Sequence, residues 1–122
     1  DMDLLDHPQQ IIQDGGFIFS ASLDDEVLGV CALIKLDDTS FELSKMGVCE
    51  KARGKQIGRK LLDMAIARAR EIGAKAIYLE TNNQLKSAIQ LYQKNGFEFT
   101  HESHTGASAY QKANVFMRLT LP

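Results

Sequence analysis

The chain has 122 residues, 44% of them apolar and 25% charged, with a formal net charge of −2. Those values fit a single domain over residues 1–122 with one core, and they exclude a disordered or low-complexity chain. No apolar run approaches the ~20 residues a membrane helix needs, and no basic stretch leads into one, so neither a membrane partner nor a signal peptide is expected.

Residues 8–14, PQQIIQD, read as one short helical turn ending at Gly15-Gly16. GFIFSAS (16–22) and EVLGVCALIK (26–35) read as two strands joined by a turn at Asp24-Asp25. A second turn, LDDTS, leads into a third strand, FELSKMGV (41–48), completing an antiparallel meander. The period then changes. Ile57, Leu61, Leu62, Ala65, Ile66, Ala69 and Ile72 recur at steps of three and four, the stripe of an amphipathic helix from about Gly58 to Ile72. Gly73 is its C-terminal cap.

AIYLET (76–81) is a short apolar run expected to be a buried strand. Strand, helix, strand in that order implies a parallel crossover. Leu85, Ala88, Ile89 and Tyr92 are spaced for a second helix over about 85–94, closed by Asn95-Gly96. FEFTH (97–101) is a strand, ESHTGASAYQ a loop, and ANVFMRLTL (113–121) the last strand. The expected class is α/β with a mixed sheet: antiparallel meander, one parallel crossover, C-terminal hairpin.

Charge is unevenly spread. Residues 1–44 carry net −9, residues 45–75 net +6 and residues 76–122 net +1. A basic middle in an acidic chain points to a local anion site rather than to a nucleic-acid surface, which would make the whole domain basic. No nucleic-acid partner is expected, because aromatics are not interleaved with the bases of 51–60. Cys31 and Cys49 have no CxxC partner and no metal-ligand spacing to histidine. They are expected as buried thiols in a reducing cytoplasm. His7, His101 and His104 lack ligand spacing too, so no metal is expected.

The anion site falls on RGKQIGRKLL (53–62), between the third strand and the long helix. The first turn of a helix has backbone N–H groups without internal partners, and with the helix dipole these attract an anion. Gly54 and Gly58 let a ligand approach closely. Arg53, Lys55, Arg59 and Lys60 add positive charge, and Asp63 is the nearest acid. A Walker A loop is excluded: the glycine spacing is one residue short, and Arg59-Lys60 is not followed by Ser or Thr. A GxGxxG dinucleotide fingerprint is absent. The bland alternative is a solvated charge run.

ARGKQIGRKLL resembles the pyrophosphate loop of the GCN5-related N-acetyltransferases, [QR]-x-x-G-x-[GA]. Arg53 matches the first position and Gly58 the last, while Gln56 stands where the family has glycine. KMGV (45–48) resembles the strand whose backbone pairs with the pantetheine arm in that family. IYLETN followed by AIQLYQKNGF resembles the next strand and the helix with its Leu-Tyr-x-x-x-Gly-Phe ending. The resemblance covers residues 16–101. It implies a co-substrate, acetyl-coenzyme A, held by Met46, Gly47, Val48, Arg53, Gly54, Lys55, Gln56, Ile57, Gly58, Arg59, Asn82 and Tyr92, without a metal. The family usually opens with a strand and one or two helices that wall the acceptor site. Here the meander begins almost at once, so an N-terminally incomplete domain is expected.

Acetyl transfer requires a deprotonated amine, a polarised thioester carbonyl and a stabilised leaving thiolate. The resemblance places Tyr92 near the sulfur as general acid, although 85, 88, 89 and 92 also make a core stripe. Glu42 is the candidate base, since an acid in mid-strand needs a partner, solvent or a function. An ion pair with Lys45 or an exposed strand face would also explain it. Glu80, at the end of the next strand, is the rival base. Asn82-Asn83 is good loop and helix-cap chemistry as well. The expected acceptor is a small-molecule amine or a peptide or protein amine. A binding module that holds acyl-CoA without turnover is the alternative. Strand exchange in the hairpin Phe97–Leu121 is a route to a homodimer.

Overall fold

The structure, a computed structural model, describes residues 8–101 and 115–122. In chain order it contains α1 (Pro8–Gln13), β1 (Phe17–Leu23), β2 (Glu26–Lys35), β3 (Ser40–Val48), a 3-10 turn (Glu50–Ala52) and α2 (Ile57–Glu71). β4 (Ala76–Thr81), α3 (Lys86–Lys94), β5 (Glu98–Thr100) and β6 (Val115–Thr120) follow. The expected start of the last strand, the loop before it, His7, His104 and much of the proposed dimer hairpin lie outside the described residues. Among the described residues no helix is long and apolar enough to cross a membrane.

The β1–β2 hairpin closes as the Asp24-Asp25 pair predicts. Both aspartates take positive φ, 53° and 68°, the two-residue turn whose twist matches the strands it joins. The six strands form one sheet in the order β1-β2-β3-β4-β6-β5. Among the described strands only β3 and β4 run parallel, because α2 carries the chain back across the sheet between them. The last hairpin folds in with β6 against β4, leaving β5 at the edge.

The stripe of α2 meets the sheet. Leu61, Leu62, Ala65 and Ala69 are fully buried against Cys31, Leu33, Phe41, Leu43, Ile77, Leu79 and Met117. Ile72 leaves the stripe: α2 ends one residue earlier, and Ile72 is 43% exposed. Gly29 sets how closely the N-terminal end of α2 approaches β2. A Cβ there would lie 2.9 Å from Ile57 and 3.0 Å from Leu61. Cys31 is buried and Cys49 half-buried, and both are free thiols rather than a disulfide.

A bulge shapes the middle of the sheet. Val30 pairs with Gly47 and Ala32 with Ser44, so β3 spends one residue more than β2. Such an insertion bends the strand that carries it. β3 pairs with β4 only from Ser40 to Glu42, against Ala76 to Tyr78. Beyond that point β3 keeps to β2 and β4 keeps to β6, and the two parallel strands part.

Candidate functional site

The parting of β3 and β4 brings the end of β3 next to the start of α2. After Val48 the chain makes the 3-10 turn, with Ala52 N–H donating to Cys49 O at 3.0 Å and Arg53 N–H to Glu50 O at 3.2 Å. Gly54 takes φ +86°, and a Cβ there would meet nothing within 4 Å, so the loop is open to a ligand at that point. Lys51 pairs with Glu26, tying the turn to the tip of the β1–β2 hairpin and turning that lysine away from anion binding.

Gln56 is the N-cap of α2, at φ 61° and ψ 29°, and its side chain caps nothing. A left-handed conformation costs a non-glycine residue roughly 1–2 kcal/mol. The resembled pattern has glycine here, and the backbone now gives the reason. The first intrahelical bond of α2 runs from Lys60 N–H to Gln56 O at 3.1 Å. The N–H groups of Ile57, Gly58 and Arg59 therefore have no partner within the helix.

These groups open on a cleft of about 520 Å³. It is lined by Arg53, Gly54, Gln56, Ile57, Gly58 and Arg59 from the loop and the start of α2, by Val48 and Ala52, and by Leu91, Lys94 and Asn95 at the end of α3. Among the described residues no carboxylate lines it. Arg59 is shared with Asp63, at 4.0 Å. The combination of free N–H groups, a helix N-terminus, cations and a glycine with open space fits an anionic diphosphate. A Cβ on Gly58 would sit 3.8 Å from Val48 and 3.9 Å from Leu91, ordinary contact distances, so alanine fits there, while the further methyls of a branched side chain would compete with a ligand for space in the cleft. Gly58→Ala is expected to keep ligand affinity within about threefold, whereas Gly58→Val lowers it more than about tenfold with the fold intact. Calorimetry with coenzyme A, alongside urea unfolding, checks this. Equal affinities for the two variants would separate the cleft from the ligand.

Residues 1–97 match the Acetyltransferase (GNAT) family. This chain belongs to that family. It is 39% identical over 89 residues to the Escherichia coli protein named "Uncharacterized N-acetyltransferase YjgM", covering 70% of this chain and 53% of that one. It thus spans about half the length of that relative. A Staphylococcus aureus GNAT acetyltransferase structure superposes with a TM-score of 0.85 at 29% identity, covering 93% of this chain and 73% of that one. A Bacillus subtilis acetyltransferase solved in complex with CoA superposes with a TM-score of 0.75 at 26% identity, covering 93% and 82%.

The expected site residues of this GNAT chain divide between two places. Val48, Arg53, Gly54, Gln56, Ile57, Gly58 and Arg59 line the cleft. Met46 and Gly47 lie in the bulged part of β3 where it has left β4, and Lys55 is exposed on the loop. Asn82 stands apart from the cleft. Its Oδ1 accepts from Gln84 N–H at 2.8 Å and its carbonyl from Leu85 N–H at 3.1 Å, a turn that leads into α3. Leu91, Lys94 and Asn95 were not anticipated.

Tyr92 faces the core beside that cleft. It is 7% exposed, its ring 5.7 Å from that of Phe97. Burial, with a smaller contribution from the charge of nearby Cys31, pushes its phenol up to about 12. Among the described residues its side chain packs in the core cluster and its hydroxyl has no hydrogen-bond partner. Leu85 is not part of a core stripe with it: at 52% exposure it caps the helix instead.

Glu42 is 9% exposed, which overturns the exposed-strand-face alternative. Strand alternation sends it to the face opposite Phe41 and Leu43, beside Ile34 of β2 and Tyr78 of β4. Glu80 follows two residues after Tyr78 on that same face, with Oε1 buried. Glu42, Tyr78 and Glu80 all interact with neighbours. Among the described residues no cluster of His, Cys, Asp and Glu could hold a metal.

Proposed function

We propose that this chain is a single-domain N-acetyltransferase that transfers an acetyl group from acetyl-coenzyme A to a primary amine by direct attack in a ternary complex. The carrying observation is the unpartnered N-terminus of α2, opening on a carboxylate-free cleft beside the parted strands β3 and β4. Family membership supports the cofactor class. The cofactor supplies an activated acyl group on sulfur. The loop from Arg53 to Arg59 holds the diphosphate. Met46, Gly47 and Val48 offer the backbone groups that β3 no longer shares with β4.

The balance of the reaction is simple. The amine nitrogen bonds to the carbonyl carbon and the carbon–sulfur bond breaks. The acceptor ammonium gives up two protons; one ends on sulfur and one in solvent. Glu42 takes up protons from the amine on one face of the sheet, with Glu80 as its neighbour. Tyr92 donates a hydrogen bond to the leaving sulfur from the core side. The acceptor is a small-molecule amine or the amine of a peptide or protein. The free thiols Cys31 and Cys49 suit a reducing cytoplasm.

A second reading has one observation in its favour. Gln56, strained and lining the cleft, stands in place of glycine, which suits a module that holds acyl-CoA without turnover. Titration with acetyl-coenzyme A, and with coenzyme A lacking its thiol, is expected to show one site. An amine panel followed by thiol release then separates the readings. Turnover that falls in Glu42→Gln supports the transferase, and binding without turnover across the panel supports the module. No binding by the folded protein would remove both.

A further inference from the structure

The cleft carries more positive charge than a diphosphate needs. Its volume, about 520 Å³, is in the range that holds a drug-sized molecule, so a diphosphate against α2 leaves the α3 side unfilled. Lys94 stands on that side, as the last residue of α3. Its ammonium has no carboxylate within 4 Å among the described residues.

A lysine in the last turn of a helix ordinarily answers the free carbonyls there. Here other groups already do so. Asn95 N–H donates to the carbonyls of Leu91 and Tyr92 at 3.2 and 3.1 Å, and Asn95 Nδ2 donates to Leu91 O at 2.8 Å. Gly96 N–H donates to Gln93 O at 3.1 Å and Phe97 N–H to Tyr92 O at 3.0 Å. The end of α3 is therefore closed without Lys94. A cation that lines the same cleft as Arg53 and Arg59, but from a different helix, is suited to a second anion on the same ligand.

Resting on the coenzyme A reading above, we propose that Lys94 binds the 3′-phosphate monoester of the cofactor, and so makes this chain prefer coenzyme A to its 3′-dephospho form. A point-charge ammonium recognises a phosphate without demanding a fixed fork geometry, so arginine is expected to replace it.

The test is calorimetric titration of the full chain with coenzyme A and with 3′-dephospho-coenzyme A, in wild type, Lys94→Ala and Lys94→Arg. Wild type is expected to favour coenzyme A by about fivefold, as a partly exposed ion pair allows. Lys94→Ala loses that preference while keeping its affinity for the dephospho form, and Lys94→Arg retains it. Equal affinities in wild type, a preference that survives in Lys94→Ala, or an equal loss for both ligands would each overturn the assignment. Failure of wild type to bind either ligand would instead overturn the coenzyme A reading, and the assignment with it. Lys94 is exposed, so its replacement leaves the core untouched.

Discussion

Tyr92→Phe is expected to lower turnover roughly 10- to 100-fold, with little change in coenzyme A affinity. The magnitude follows from the state of the phenol. Held at about 12, it is a far weaker acid than a thiol, which titrates at about 8.5 when unperturbed. Handing its proton outright to a departing thiolate would be uphill. A hydrogen bond to that developing charge is still worth about 1.5–3 kcal/mol. Tyr92 is thus expected to act as a fixed donor, with the proton reaching sulfur from elsewhere. The sign of the pH effect follows. The phenol stays neutral below about pH 12, so the rate should show no loss from its ionisation between pH 7 and about pH 10. The same change should leave stability within about 1 kcal/mol, because the hydroxyl makes no hydrogen bond among the described residues. Steady-state kinetics and urea unfolding of the one variant provide both readouts. Normal turnover would reduce Tyr92 to a packing residue. A large stability loss would mean the hydroxyl has a structural partner.

How much of this site a sequence can announce depends on whether its cause is local. The α2 stripe is local: a period of 3.6 over fifteen residues leaves one reading, and six of its seven apolar positions are buried. The Asp24-Asp25 turn is local as well. The anion loop is legible because glycines and bases between a strand and a helix have few other uses. The parting of β3 and β4 is not local. It depends on a bulge near Gly47, and one extra residue in a strand leaves no mark in composition. The placement of β6 against β4 is likewise set by pairing between distant segments. Lys94 was missed for a different reason: a lysine ending a helix has a sufficient explanation in the helix dipole. Leu91 was missed because the spacing of Ala88, Ile89 and Tyr92 draws attention to the core face. The cleft lies on the neighbouring one. Gln56 was visible as a departure from a pattern, but only its φ of 61° shows what the departure costs.

The second large effect is alkaline destabilisation, centred on Cys31. This thiol is fully buried under α2, its Sγ 3.9 Å from the carbonyl of Leu61. Burial pushes it up from 9.0 to about 12. The folded form therefore resists an ionisation that the unfolded chain permits. Stability from this group is fully present below pH 9 and is lost as pH rises toward 12, where the folded thiol would itself ionise. At pH 10.5 the linkage relation gives a loss of about 2 kcal/mol from Cys31 relative to neutral pH, and about 1 kcal/mol more from Tyr92, raised from 10.0 to about 12. The two groups interact, so the contributions do not add strictly. Urea unfolding at pH 8 and pH 10.5 measures the total, and Cys31→Ala isolates the thiol. The variant begins less stable, by about 1 kcal/mol for the lost sulfur contacts, yet should lose about 2 kcal/mol less than wild type on going to pH 10.5. Parallel losses in the two proteins would mean that groups other than Cys31 set the alkaline limit. A crossover, with Cys31→Ala about 1 kcal/mol more stable than wild type at pH 10.5, would place that limit in the packing between β2 and α2, directly beneath the helix whose N-terminus forms the cleft.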